Sequence, residues 1–133
     1  MKDFKTQVCT NYSQSKKLME LGLKRETADF SDDGWNPPIV VFSTYVWTQT
    51  SKDYSPRWGL HRLLSMLPRS IEVDSCGHCI RLKINEEMHI CYECNGSPCY
   101  DVQFTKPDLF DNMVDCIEWL INEGHFNKEY LNT

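Results

Sequence analysis

Apolar residues recur at helical spacing in three stretches of the chain. In the first, Tyr12 to Leu21, polar residues precede the apolar face and Gly22 follows its last turn. A glycine at that place favours a left-handed end to the helix, which would pack Leu23 on Leu18. The first helix is therefore predicted over Tyr12 to Leu21, with three candidate N-cap residues, Thr10, Asn11 and Ser13.

The second and third helices are predicted from wider apolar stripes. Ser55-Pro56 looks like a cap followed by proline in the first turn, Trp58 falls in that turn, and Pro68 ends the pattern. The apolar face between them is Leu60, Leu63, Leu64 and Leu67. The third helix spans Asp108 to Glu123, with Thr105 or Asp108 as its cap and Gly124 after it. Its apolar face consists of Leu109, Met113, Cys116, Ile117, Leu120 and Ile121.

Strand patterns lie between these helices. Residues Cys79 to Ile84 and Met88 to Tyr92 alternate apolar and polar side chains, and Asn85-Glu86-Glu87 between them predicts a hairpin. The other candidate strands are Ile39 to Trp47, Ser70 to Asp74 and Tyr100 to Phe104. The order α-β-α-β-β-β-α, with Tyr100 to Phe104 as a further strand, predicts an α+β fold. We expect a mostly antiparallel sheet with about three helices on one face.

Composition sets limits on the class of protein. With 133 residues, 41% of them hydrophobic and 25% charged, the chain fits a single globular domain over residues 1–133. The net charge of −5 disfavours binding to nucleic acid, which needs clustered Lys and Arg. Neither a secretory signal nor a long apolar span is present, and seven cysteines are typical of thiols in a reducing compartment. We therefore expect a small soluble cytoplasmic domain with free cysteines and no membrane contact.

The most specific chemical pattern is a doubled Cys-x-x-Cys. Cys76, Cys79, Cys91 and Cys94 have a spacing that suits a zinc ribbon. A hairpin centred on Asn85 would set Cys76 beside Cys94 and Cys79 beside Cys91, and four thiolates could then bind one zinc ion. These four residues are the candidate metal set.

Three observations favour a structural role for these cysteines instead. Alternation places Cys79 and Cys91 on the polar strand face, with Arg81 and Lys83. A shift of the hairpin register would also move the cysteines out of opposition. Finally, in a chain with seven cysteines chance pairs arise readily, and cysteine packs well as a small apolar residue. We expect no cofactor, with zinc as the alternative.

Cys76-Gly77-His78-Cys79 also has the form of the disulfide isomerase active site. That chemistry needs the first cysteine at a helix N-terminus, which lowers its thiol pKa. The residues after Cys79 alternate as a strand does, and no βαβ pattern surrounds them. Thiol redox activity is therefore the third hypothesis.

Other candidates point to binding rather than catalysis. The four histidines lack metal-pair spacing, no nucleophile or phosphate-loop motif occurs, and no pair of acidic residues suits acid–base catalysis. The aromatic residues Tyr45, Trp47, Tyr54 and Trp58 near a polar loop would suit a protein interface. The favoured interpretation, however, is that Tyr45 and Trp47 face the core of the sheet and Trp58 covers its edge. The sequence therefore names no catalytic or cofactor-binding residue and favours a non-enzymatic protein.

Three landmarks carry a resemblance to a known family. They are Cys9-Thr10 followed by Gln14 to Gly22, the Leu63 to Pro68 stretch leading to a strand, and the closing Ile117-Glu118-Trp119-Leu120. With these, the chain resembles a family of small uncharacterised proteins common in gut-bacterial genomes, prophages and phages. The resemblance implies a shared fold without an assigned activity or cofactor, and the family pattern lacks the doubled Cys-x-x-Cys.

The leading hypothesis is therefore a non-enzymatic accessory or protein-interaction domain of phage or mobile-element origin, with an unidentified protein partner. The alternative is a small zinc-stabilised domain using Cys76, Cys79, Cys91 and Cys94. The third hypothesis is a thiol redox protein using Cys76-Gly77-His78-Cys79.

Overall fold

The structure is a computed structural model, and it describes residues 7–32, 39–40, 55–72, 79–94 and 102–132. In these ranges the helices are α1 (Tyr12–Glu20), α2 (Leu60–Met66) and α3 (Leu109–Asn122), with 3₁₀ turns at Arg25–Thr27 and Lys128–Tyr130. The strands are β1 (Phe30–Asp32), β2 (Ile39–Val40), β3 (Ser55–Arg57), β4 (Ser70–Glu72), β5 (Cys79–Ile84), β6 (Ile90–Glu93) and β7 (Val102–Phe104). The α+β class is confirmed.

The described strands form two antiparallel sheets where the sequence predicted one. One sheet has the order β2-β1-β3 and the other the order β4-β5-β6-β7. The chain divides into two compact units, Met1–Leu64 with Lys128–Thr133, and Ser65–Asn127, and each sheet lies in one of them. Strand β1 had no predicted counterpart, because three residues are too short for an alternation pattern to register. The prediction of a single domain over residues 1–133 stays a prediction.

In the first unit, helix α1 has the two ends that its sequence predicts. The Asn11 side chain accepts a hydrogen bond from Gln14 N, and the Gln14 side chain accepts one from Asn11 N, which makes a complete capping box. At the other end Gly22 has a φ of 102°. Leu23 N donates to Leu18 O at 3.2 Å, and both leucine side chains are fully buried. The predicted Schellman ending is confirmed.

The start of the second helix was predicted wrongly. Ser55 to Arg57 forms strand β3, paired with β1, and helix α2 begins only at Leu60. Strand β3 is an edge strand, where a proline without an amide hydrogen is tolerated. Trp58 precedes the helix and is fully buried: its backbone N–H donates to Thr10 Oγ1 and its indole N–H to Thr27 Oγ1. Trp58 is therefore a core residue of the first unit.

In the second unit, helix α3 matches its prediction closely. Asp108 is the N-cap, and its side chain accepts from Phe110 N at 2.8 Å. Gly124 ends the helix with a φ of 75°, and His125 N donates to Leu120 O. The helix contacts β6 and β7. Its buried residues are Phe110, Asn112, Met113, Val114, Cys116, Ile117 and Leu120.

The predicted strands differ in outcome. Strand β5 has the predicted bounds, and β4 and β7 lie within theirs. Of the stretch Ile39 to Trp47 only Ile39–Val40 lies in the described residues, where it forms β2. The strand predicted from Met88 instead begins at Ile90, because Met88 has a φ of 63° and a left-handed residue cannot continue a strand. The turn is therefore the five residues Asn85 to His89.

Candidate functional site

The candidate site lies on one face of the four-stranded sheet. Side chains alternate between its two faces, so residues with even numbers in β5, β6 and β7 share one face and residues with odd numbers share the other. On the even face Ile80, Ile90 and Tyr92 are buried, and Trp119 of α3 packs at 5.9 Å from the Tyr92 ring. The odd face is polar and accessible to solvent.

A cavity of about 270 Å³ opens on this polar face. The antiparallel register aligns Lys83 of β5, Cys91 of β6 and Gln103 of β7 in one cross-strand row, and all three line the cavity. The other lining residues are Ile84, Asn85, His89, Ile90 and Glu93. The cavity is close in size to the smallest ligand pockets, which begin at about 300 Å³.

The charged groups of the cavity satisfy one another. Lys83 Nζ forms an ion pair with Glu93 Oε1, and this hydrogen bond and charge raise the pKa of the Lys83 ammonium above its ordinary value. Cys91 Sγ lies 3.9 Å from Glu93 Oε2, a long contact typical of a weak thiol donor. The Lys83 side chain remains 53% exposed, so the pair lies at the solvent boundary.

The Gln103 and Asn85 side chains keep hydrogen-bonding capacity for a ligand. Gln103 is exposed, and its amide makes no hydrogen bond to another described residue. Asn85 Oδ1 accepts the N–H groups of Glu87 and His89, which leaves its amide hydrogens directed to no described residue. The cavity therefore combines an internally neutralised charge pair with two amides that can still bind.

The turn from Asn85 to His89 forms the rim of this cavity. Asn85 Oδ1 accepts from Glu87 N at 2.9 Å and from His89 N at 3.0 Å, and Met88 N donates to Asn85 O at 3.0 Å. His89 Nδ1 lies 3.5 Å from Glu87 Oε2. Two apolar side chains near the turn are exposed: Met88 in the turn itself, at 50%, and Ile84 on the even face of β5, at 38%.

Within the candidate metal set, the structure does not place Cys79 opposite Cys91, as a hairpin centred on Asn85 predicted. Cys91 pairs with Lys83, and Cys79 pairs with Glu72 of β4, so Cys79 and Cys91 are not opposite. They lie on the same polar face but four residues apart, about 13 Å along the strands. The physical reason is the five-residue turn, which moves the hairpin centre away from Asn85. Cys76 lies outside the described residues.

Cys94 lies on the opposite face of the sheet from Cys79 and Cys91. By alternation it falls on the even face, and its Sγ is 3.9 Å from the Cys79 carbonyl oxygen. In the described part of the chain, no three His, Cys, Asp or Glu side chains gather as a metal site. The five cysteines described there, Cys9, Cys79, Cys91, Cys94 and Cys116, are thiols. Cys79 opens strand β5, as the alternation after it predicted.

Comparison with known proteins gives no relative: no family model, curated protein or solved structure matches this chain. The resemblance to the phage-associated family and the mobile-element origin it implies therefore stay predictions. No helix in the described ranges is both long and apolar enough to cross a membrane.

Sequence reasoning placed Cys79, Cys91, Arg81 and Lys83 on the polar face correctly, and the exposure of Cys79 agrees with this. It missed Glu93, Gln103 and His89 as neighbours of Cys91. Alternation alone could have assigned Glu93 and Gln103 to that face. Only the register, however, aligns Gln103 with Cys91. Of the aromatic group, Tyr45, Trp47 and Tyr54 lie outside the described residues.

Proposed function

We propose that this chain is a non-enzymatic protein-interaction domain that binds a segment of a partner protein at the polar face of the four-stranded sheet. The observation that carries the proposal is the cavity with its two available amides, Gln103 and Asn85, beside the exposed side chain of Met88 in the adjoining turn. Its ligand would be a peptide segment, which offers both backbone amides and apolar side chains.

The charge arrangement supports a neutral ligand group in the cavity. Lys83 and Glu93 already form an ion pair, and this pair has no net charge that would attract an anion or a cation. Amide groups can instead bond to Gln103 and Asn85, and each good hydrogen bond contributes about 1 kcal/mol net. A peptide amide therefore fits the cavity better than an anion or a cation.

The exposed side chain of Met88 supports a protein partner over a small molecule. Methionine adapts its shape readily and is common at protein-binding surfaces. Met88, at the rim, would contact the apolar part of the segment, while the cavity would hold a polar group. A mixed surface of this kind is typical of interfaces that form and dissociate.

Site-specific photo-crosslinking in cells that express the protein tests this proposal. A photoreactive residue at Gln103 should give one discrete adduct with a partner protein, and the same residue at the exposed Asn122 of α3 should not. Met88→Glu should abolish the adduct. Met19→Glu, the same change at another exposed methionine, should leave it intact.

Two results would contradict the proposal. One is the absence of any adduct from Gln103 under conditions where the protein is folded. The other is equal loss of the adduct in the Met88→Glu and Met19→Glu variants, which would show that the polar face has no special part in binding.

Zinc binding by Cys76, Cys79, Cys91 and Cys94, and redox activity of Cys76-Gly77-His78-Cys79, remain the alternatives. In the described residues no specific observation favours either, because Cys91 pairs with Lys83 and not with Cys79. A metal assay on purified protein distinguishes the first alternative, with about one zinc per chain expected for a tetrahedral site.

A further inference from the structure

The turn that forms the cavity rim contains an unfavourable backbone conformation. Met88 has a φ of 63°, and no other non-glycine residue in the described ranges has a positive φ. An unbranched side chain there is costly, and the surrounding structure has to hold it in place. Local hydrogen bonds reach both sides of Met88, since Asn85 Oδ1 accepts from Glu87 N and His89 N. These bonds do not hold the Met88 carbonyl.

The Met88 carbonyl is held by Asn112 of helix α3. Asn112 is completely buried, and its Nδ2 donates to Met88 O at 3.0 Å. The same side chain donates to Lys106 O at 2.8 Å and accepts from Lys106 N at 2.7 Å. One buried amide thus satisfies three backbone groups in two separate loops.

We propose that Asn112 is a positioning residue for the cavity, acting through Met88 to hold the Asn85–His89 rim in its binding conformation. A buried asparagine in an apolar helix face is expensive unless its groups are bonded, and here its bonds go to loop backbone. Asn112 touches no cavity-lining side chain in the hydrogen bonds above, so its effect on the site is indirect. As a statement about binding, this inference rests on the proposed function.

The conformation of Met88 explains why its carbonyl needs the hydrogen bond from Asn112. Two backbone bonds also close the turn, from Met88 N to Asn85 O and from Asn85 N to His89 O. If its carbonyl lost Asn112, we expect Met88 to leave the left-handed conformation more often, and with it the bonds from Glu87 N and His89 N to Asn85 Oδ1 to open more often. Asn85 and His89 both line the cavity, so its rim would change shape. The pairing of β5 with β4, where Leu82 N donates to Arg69 O next to the first residue of β4, should be unaffected.

Amide hydrogen exchange on the full chain measures this without any partner. In Asn112→Asp, which keeps the size and the acceptor but removes both donors, exchange of Glu87 and His89 relative to Leu82 should rise about tenfold. The matched control is Asn122→Asp, at an exposed position of the same helix, which should leave that ratio unchanged. A common acceleration of all three amides would overturn the proposal, because it would show that Asn112 only supports the core.

Variants at Met88 decide the question if Asn112→Asp does not fold. Met88 is exposed, so Met88→Val leaves the core intact while excluding the left-handed conformation, and the exchange ratio should again rise about tenfold. Met88→Gly accepts a positive φ freely and should keep the ratio near that of the original protein. Glu86→Val, the same valine at a turn position without a positive φ, is the control. An unchanged ratio in Met88→Val would overturn the proposal.

The crosslinking yield from Gln103 in the Asn112→Asp variant then tests whether the conformation of the turn affects binding of the partner. A reduced yield together with the faster rim exchange is the expected result. If the original protein gives no adduct, the proposed function fails. The exchange ratios still test whether Asn112 holds the Asn85–His89 turn. If adduct yield stays normal although the rim exchanges faster, the positioning role in binding is overturned.

Discussion

The two faces of the four-stranded sheet are made by the same short strands, yet they depend on different properties of the sequence. The even face is defined by buried apolar side chains such as Ile80 and Ile90, and α3 packs on β6 and β7. The odd face is defined by which polar residues the register places side by side. A register shift of two residues would keep the apolar side chains on the buried face, but it would separate the polar residues that line the cavity.

Because of this difference, the core face should affect the stability of the domain more than the cavity does. The core face is stabilised by hydrophobic burial and by contacts such as that between Tyr92 and Trp119. The row Lys83–Cys91–Gln103 is expected to contribute little to folding, and its alignment depends on the turn that sets the register. Substitutions on the two faces should therefore have opposite consequences for stability and for binding.

The largest expected effect tests the core face. Ile90→Ala removes a fully buried side chain and should lower the free energy of unfolding by about 2–4 kcal/mol. Its neighbour Cys91→Ala, on the polar face, should change it by less than about 0.5 kcal/mol. Urea denaturation at pH 7 measures both. Equal losses for these adjacent residues would contradict the division of the sheet into a core face and a polar face.

The second effect is a loss of stability at alkaline pH, which comes from buried acidic groups on the core side. Burial raises the pKa of Cys116 to about 12 from its ordinary 9.0, and burial also raises the pKa of Tyr92 above its ordinary value of 10.0. In the unfolded chain both groups lose their protons at lower pH than in the folded one. Stability is therefore complete below pH 9 and falls as pH rises above it.

Each buried group should contribute a slope of up to about 1.4 kcal/mol per pH unit between its two pKa values. Urea titrations at several pH values from 7 upward measure this slope. Cys116→Ala should be less stable at neutral pH, since it removes a buried side chain, but its stability should fall less steeply above pH 9. An identical slope in Cys116→Ala and the original protein would show that this thiol ionises as easily in the folded state as in the unfolded one.

Local signals in the sequence were sufficient for the helix ends. Gly22, Gly124 and Asp108 act on residues within one turn of themselves, so their neighbours alone reveal their roles. Alternation likewise gave the bounds of β5 and the face of Cys91. The helix start predicted at Ser55-Pro56 was wrong because a serine followed by proline suits an edge strand as well as a helix start. Here the pairing of β3 with β1 favours the strand.

The candidate site was less predictable because it depends on contacts distant in sequence. The register follows from a five-residue turn in which Met88 is left-handed, and the residue that bonds its carbonyl, Asn112, is 24 positions away. The residues next to Met88 do not indicate a left-handed conformation, since methionine has no preference for a positive φ. The doubled Cys-x-x-Cys pointed to the hairpin that carries the cavity, but the predicted opposition of Cys79 and Cys91 is not the observed register.

The smallest expected effect concerns the ion pair of the cavity. Lys83→Met should leave the urea midpoint without measurable change, in low salt and at about 0.5 M NaCl, because an exposed ion pair contributes little and is screened by salt. Lys106→Met is the matched control: Lys106 pairs with Asp115 at 2.9 Å and is similarly exposed. If Lys83→Met lowered the midpoint as much as Ile90→Ala does, the polar face would be part of what folds the domain. The polar side chains would then be needed for folding, and the two faces of the sheet would not differ in their contribution to stability.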